Sequence, residues 1–312
     1  MQLTMASNRG EISVSGGKRL ARYLGIVLTV ICLVYIGWEL RESGPALAST
    51  IRTPGTLIAI GLSAALWMIL NAMLGLGWGS LVKATGNRVG VGDAVILSLM
   101  AQAGKYLPGN VFHLAGRVWL AGKFGIERKL AAIATAAEMG LLVIVAVFIG
   151  LPWLLQQAAI PWVSVSLAGL IVLALLSATA IWYSRNRERL IPMISGLGPR
   201  LMGWLVASTA AYGSVFVIQT VMFALIGSSQ SLDWGLSWVG ALQIVTITWL
   251  AGFVVVGSPG GLGVREAAFA VFAQNEEMRV ELLLIAALMR VASLVGDLGS
   301  LGIGAIARRV RD

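Results

Sequence analysis

The amino-acid sequence predicts an all-α polytopic membrane protein, with about six spanning helices and two re-entrant helical hairpins in an inverted repeat. Three observations lead there. Of 312 residues, 58% are hydrophobic and only 12% charged, where a soluble domain carries roughly 25% charge. The apolar residues gather in long blocks, several of which approach or exceed the roughly 20 residues that cross a bilayer. Two further apolar regions are interrupted midway by Pro-Gly segments with basic residues beside them.

Taken in order, residues 1–22 are polar and basic (Arg9, Lys18, Arg19, Arg22) and read as a cytoplasmic tail. Residues 23–38 form the first apolar block. A basic start and the small-residue site Ala46-Leu47-Ala48 resemble a signal peptide. The block is long, however, and Glu39, Arg41 and Glu42 separate it from that site, so a retained helix is expected. Residues 23–312 then make a single transmembrane domain. Cys32, the one cysteine, lies in this block and reads as a buried thiol. Spans follow at 56–82, 130–151, 162–183, 204–226 and 282–307. Between them, 93–122 is broken at Tyr106-Leu107-Pro108-Gly109-Asn110 and 238–273 at Gly257-Ser258-Pro259-Gly260-Gly261-Leu262-Gly263. Each arm of the first region, about 14 residues, is too short for ~30 Å of hydrocarbon. Proline removes a helix donor and glycine permits a sharp reversal. Such hairpins persist at membrane depth only where protein buries them or they line a cavity. The eleven tryptophans, with Trp38, Trp153, Trp162 and Trp234 near span ends, read as interfacial anchors.

Charge sets the orientation. With the N-terminus inside and both hairpins re-entrant, seventeen of the 23 basic residues fall on the cytoplasmic side, among them Lys83, Arg88, Arg117, Lys123, Arg308 and Arg309. Three (Arg41, Arg52, Arg279) fall outside, and Lys105, Arg265 and Arg290 lie at membrane depth. The outer loops collect Glu39, Glu42, Asp233, Glu276, Glu277 and Glu281. This asymmetry is the positive-inside pattern of a bacterial-type inner membrane, with both termini cytoplasmic. It accounts for the net charge of +9, and no nucleic-acid partner is expected. Letting 238–256 span fully would put the acidic 275–281 loop inside and Arg308-Arg309 outside, so the hairpin is preferred.

The two broken regions sit in matching contexts, span–hairpin–span, over approximately residues 52–151 and 202–307. Pro108-Gly109 corresponds to Pro259-Gly260, and each precedes an arginine, Arg117 or Arg265. Thirty residues after Pro108 stands Glu138, and thirty-one after Pro259 stands Arg290, each inside an apolar span. One hairpin enters from each side, so the halves are inverted. Paired Gly/Pro-interrupted segments in two halves point to a binding site near the midplane. Charges inside a bilayer are costly and face a cavity or a partner. The ligand-binding candidates are Lys105, Pro108, Gly109, Asn110, Arg117, Ser258, Pro259, Gly260, Gly261, Gly263 and Arg265. Together with two helix N-termini they would make an electropositive pocket suited to an anion, most simply a headgroup phosphate. Glu138, Glu266, Arg290 and Asp297 are candidates for gating or charge pairing. The structural alternatives are ion pairing that holds the bundle together, snorkelling of Arg117 to the interface, helix capping by Glu266, and packing for His113, the one histidine.

Enzyme motifs are missing: there is no phosphate-binding loop, no His-Glu-x-x-His, no metal-spaced Cys/His set and no Gly-x-Ser-x-Gly. No catalytic residue, metal or cofactor is expected. Lys105-Tyr106-Leu107-Pro108-Gly109-Asn110 with Gly116-Arg117, and Ser258-Pro259-Gly260-Gly261-Leu262-Gly263-Val264-Arg265-Glu266, resemble the two signature segments of the lysylphosphatidylglycerol synthase transmembrane region, the flippase-like family. The resemblance covers the chain from about residue 50 onward. It implies movement of a lipid with a charged headgroup between leaflets. The aminoacyl-transfer domain of the fused family members is not in this sequence, and aminoacylated phospholipid, polyprenyl-phosphate sugar and glycolipid are all compatible. Three functions therefore stand: a flippase for a membrane lipid with an anionic headgroup; a non-transporting subunit of a glycosyltransferase or lipid synthase; and an ion-coupled carrier of a small solute.

Overall fold

Each helix begins and ends where local chemistry directs. Helix α1 (Pro54–Ala84) has proline at its start and Thr53 as N-cap, whose hydroxyl accepts from the Thr56 amide at 3.4 Å. It stops at Thr85, and Gly86 then turns the chain at φ +84°, a conformation that glycine adopts at little cost. Helix α2 (Val91–Ala101) runs into a 3-10 turn, Gln102–Tyr106. Helices α3 (Phe112–Ala121), α4 (Arg128–Gln156), α5 (Gly198–Ser229), α6 (Trp238–Val254), α7 (Val264–Val271) and α8 (Glu276–Arg309) follow. The structure, a computed structural model, describes residues 53–106, 112–156, 198–230, 237–255, 261, 263–273 and 275–310. All regular structure among these residues is helical.

Among the described residues, four helices are long and apolar enough to cross a membrane: Pro54–Ala84, Arg128–Trp153, Leu201–Ser229 and Glu276–Arg309. They are the expected spans at 56–82, 130–151, 204–226 and 282–307, and the described residues form an all-helical, membrane-embedded protein. The expected spans at 23–38 and 162–183 lie outside the described residues, as do the Pro-Gly tips. One boundary is corrected. Helix α8 begins at Glu276, so Glu276, Glu277 and Glu281 belong to its first turns and not to a loop. Asn275 caps it by accepting from the Met278 amide at 2.8 Å, and acids there face the positive end of the helix dipole.

Contacts fix the direction of each element. Helices α1 and α5 are antiparallel. Gln230 donates to the Thr56 hydroxyl at 2.9 Å at one end, and the Lys83 ammonium lies 4.9 Å from the Trp204 ring at the other. Helix α8 runs parallel to α1, with Trp67 and Asn71 donating to Asp297 and Asn71 also to Ser300. Its last turn sets Arg308 over Phe124, 5.6 Å from the ring centre. Lys83, Trp204, Phe124 and Arg308 therefore mark one basic end of the bundle. Helices α2 and α3 lie in that half. Gly75 and Gly79 of α1 give close passage to Val95, Ser98 and Ala94 of α2, and Arg117 of α3 sits over Trp78 at 5.8 Å. Helices α6 and α7 lie in the other half: Phe269 stacks on Phe223 at 5.7 Å, and Phe272 meets Trp153 edge-on at 4.8 Å.

The helix pairings map onto themselves when α1, α2, α3 and α4 are exchanged with α5, α6, α7 and α8. Helix α1 packs on α5. The pairs α1–α2 and α5–α6, α2–α3 and α6–α7, α3–α4 and α7–α8, α1–α4 and α5–α8 correspond. Each α2-type arm also crosses to the other half, α2 against α8 and α6 against α4. Two apolar clusters result. One holds Leu70, Phe223, Phe269 and Leu282; the other, toward the basic end, holds Trp78, Leu97, Leu142 and Tyr212.

The α1–α5 seam supports a direct test. A Cβ on Gly77 would collide with the ring of Tyr212, which is fully buried. Gly77→Ala is expected to lower stability by about 1–3 kcal/mol, as overpacking does. Gly61→Ala, where no atom lies within 4 Å, should change it by about 0.5 kcal/mol or less. Thermal melting in one detergent compares them, and equal melting points would show that the seam yields to a methyl group.

Candidate functional site

Polar residues placed singly in apolar helices meet between the two clusters. Asn71 in α1, Gln219 in α5, Glu138 in α4 and Arg290 in α8 face one another across a cavity of about 160 Å³, with Trp67, Met139 and Phe253 among its walls. The α2 and α6 sides bring Lys105 and Gly252 to it, and the returning arms α3 and α7 bring His113, Arg117 and Arg265. Of the charged candidates, Lys105, Arg117, Glu138, Arg265 and Arg290 line one space, and Glu266 and Asp297 stand directly behind it. Gly261 is on the wall and Gly263 begins α7. Pro108, Gly109, Asn110, Ser258, Pro259 and Gly260 lie outside the described residues.

Among the described residues, three ion pairs join these charges. The Lys105 ammonium is 2.6 Å from Asp297 Oδ2, and Asp297 Oδ1 accepts from Trp67 Nε1 at 2.8 Å and Asn71 Nδ2 at 2.9 Å. This pair joins the first half to the second. Arg117 donates from Nη1 to Glu138 Oε2 and from Nη2 to the Ser98 hydroxyl at 3.2 Å. In the other half Arg290 Nε donates to Glu266 Oε1 at 3.2 Å, while Glu266 Oε2 accepts the Gly263 amide at 2.8 Å. The latter two pairs occupy corresponding places, returning arm to following span, with the charges exchanged. Arg265 donates to Gln219 Oε1 at 2.6 Å. Its stem passes between two glycines: a Cβ on Gly252 would collide with it, and one on Gly261 would lie 3.0 Å from Cδ. Gly261 and Gly263, at φ +72° and +81°, bend the chain into α7.

Burial makes these contacts consequential. Arg117 is 1% exposed, Glu138 0% and Asp297 1%, and an ion removed from water at such depth costs several kcal/mol unless paired. Snorkelling of Arg117 is therefore corrected: the guanidinium turns to Glu138 inside the bundle. Glu266 caps α7 and pairs with Arg290 at once. Among the described residues the set comprises four cations (Lys105, Arg117, Arg265, Arg290) and three acids (Glu138, Glu266, Asp297). Among the described residues, Arg117 Nε, Glu138 Oε1, Asn71 Oδ1 and His113 Nδ1 are buried without a hydrogen-bond partner. Buried polar atoms are ordinarily satisfied by protein, water or ligand, and all four residues line the cavity. Among the described residues no three His, Cys, Asp or Glu side chains gather at metal-ligand spacing.

Sequence reasoning missed Trp67, Trp78, Asn71, Ser98 and Gln219. Trp67 and Trp78 are not interfacial anchors: both are buried, donating to Asp297 and, at 3.0 Å, to Thr135. The signal for Asn71 and Gln219 was a lone amide within a long apolar run. Compared with known protein families, characterised proteins and solved structures, the chain matches none.

Proposed function

We propose that this protein moves a lipid with an anionic, phosphate-type headgroup between the leaflets of a bacterial-type inner membrane, as the resemblance of its two Pro-Gly segments to the flippase-like family implies. The observation that carries this reading is the mid-depth cavity, where arms from opposite ends of the bundle deliver Lys105, Arg117 and Arg265 to one space. A space of about 160 Å³ accepts a headgroup phosphate while acyl chains remain in the bilayer. In this reading α2–α3 and α6–α7 are re-entrant hairpins of an inverted repeat over approximately 52–151 and 202–307, within six spanning helices and with both termini cytoplasmic. The self-matching helix pairings and the basic end marked by Lys83 and Arg308 support it. Alternating access then follows from exchange of the two halves' conformations around a fixed site.

The test is leaflet exchange of labelled phosphatidylglycerol and polyprenyl phosphate in liposomes containing the purified protein. Wild type is expected to exchange at least one of them. Arg265→Ala and Arg117→Ala should each slow that exchange by about tenfold or more, the effect of losing one charged hydrogen bond of roughly 1.5–3 kcal/mol. A well-reconstituted wild type that exchanges neither lipid removes the transport reading. A second reading, a non-transporting subunit of a glycosyltransferase or lipid synthase, is favoured by one observation: three buried acids hold three of the cations, as a purely architectural cluster would.

A further inference from the structure

The turn between α1 and α2 borders a second, open groove of about 680 Å³, far from the central cavity and at the basic end of the bundle. Lys83, Asn87, Arg88 and Trp204 line it. Lys83 is half-buried, with its ammonium held 4.9 Å above the Trp204 ring, and Arg88 is exposed. Among the described residues no carboxylate lines the groove. The acid next along the chain, Asp93, stands in the first turn of α2 beside Gly90, a residue of the groove wall, and is not itself among the lining residues. A groove thus stands at the end of a membrane helix with two cations, an amide and an indole on its wall. Basic residues near a membrane surface attract anionic lipid, and tryptophan settles at headgroup level.

We infer that this groove binds the headgroup of an anionic phospholipid of the leaflet at the basic end, with Lys83 and Arg88 on the phosphate, Asn87 on its polar substituent and Trp204 along the glycerol region. Two cations suit a monoanionic phosphodiester, and a neutral zwitterionic lipid gains less from them, because its own ammonium offsets the attraction of its phosphate. The site is separate from the central cavity, so a protein that exchanges no lipid can still hold one here.

The experiment is native mass spectrometry of the full chain released from detergent, titrated with phosphatidylglycerol or phosphatidylcholine. Wild type is expected to retain phosphatidylglycerol and to retain phosphatidylcholine far less. At roughly 1 kcal/mol per basic residue, Arg88→Gln should weaken phosphatidylglycerol binding about fivefold, and the pair Lys83→Gln with Arg88→Gln about thirtyfold. The control removes the same charge from the same end, Lys123→Gln with Arg309→Gln. Lys123 also lies over a tryptophan, 4.4 Å from the Trp119 ring, and is not among the residues that line this groove. Its binding should stay within about threefold of wild type. Equal losses in both pairs overturn the site in favour of general surface charge, as does no loss in either. Displacement of the lipid by glycerol phosphate at comparable concentration overturns the lipid assignment in favour of a small-anion site.

Discussion

Asp297→Asn is expected to be among the most damaging single substitutions in the chain, lowering stability by about 3 kcal/mol or more. Asparagine keeps a carbonyl for Trp67 and Asn71 but removes the countercharge that stands 2.6 Å from Lys105. A buried ion stripped of its partner typically costs about 3–5 kcal/mol. Removing both charges, as Lys105→Met with Asp297→Asn, should restore most of the loss, because an ion pair and its neutral replacement are often close in energy. Thermal unfolding in one lipid–detergent mixture reads this cycle, and the exchange assay then separates the two functional readings. A double variant that is stable yet exchanges no lipid assigns the charges to transport. One that is stable and exchanges at the wild-type rate assigns them to architecture. If Asp297→Asn alone melts with wild type, the Lys105 pair carries little and the central cluster is not held as described.

The long spans were legible because a bilayer crossing leaves a signal that needs no partner: twenty apolar residues are visible whatever they pack against. The short helices α2, α3, α6 and α7 were legible for a related reason, since Pro-Gly segments interrupt the apolar runs of 93–122 and 238–273 in the sequence. The start of α8 was not. Glu276, Glu277 and Glu281 lower its hydropathy, while Asn275 and the helix dipole extend the helix through them. Which charges would meet was also legible only in part. Lys105, Arg117, Glu138, Arg265, Arg290 and Asp297 stand out as ions in apolar runs. Their pairing, Lys105 with Asp297 across the halves and Glu138 with Arg117 within one, is a property of tertiary packing. Gly252 illustrates the remainder. It is one glycine among 38, and only the approach of the Arg265 stem distinguishes it.

The reversed correspondence between Arg117–Glu138 and Glu266–Arg290 leads to the second large effect. The first pair ties a returning arm to a span in the half nearest the basic end, and the second does so in the other half. In the alternating-access reading each pair closes its own side of the cavity. Glu138→Gln should then open the cavity toward the basic end, and Arg290→Gln toward the opposite end. The reporter is a cysteine at Leu114, on the cavity wall, in a chain with Cys32 replaced by serine. A membrane-impermeant thiol reagent is applied from one side at a time to proteoliposomes of uniform orientation. Loss of a pair contributing even about 1.5 kcal/mol to one closed state changes the population ratio by about tenfold. Labelling from the basic side should rise by about that factor in Glu138→Gln, and labelling from the other side in Arg290→Gln. The sign is the decisive part. A shared weakening of the bundle would raise labelling from both sides in both variants, because unfolding has no sidedness. Opposite responses require two barriers with the cavity between them, and only a transporter has use for such barriers. A structural subunit would lose stability in each variant without choosing a side.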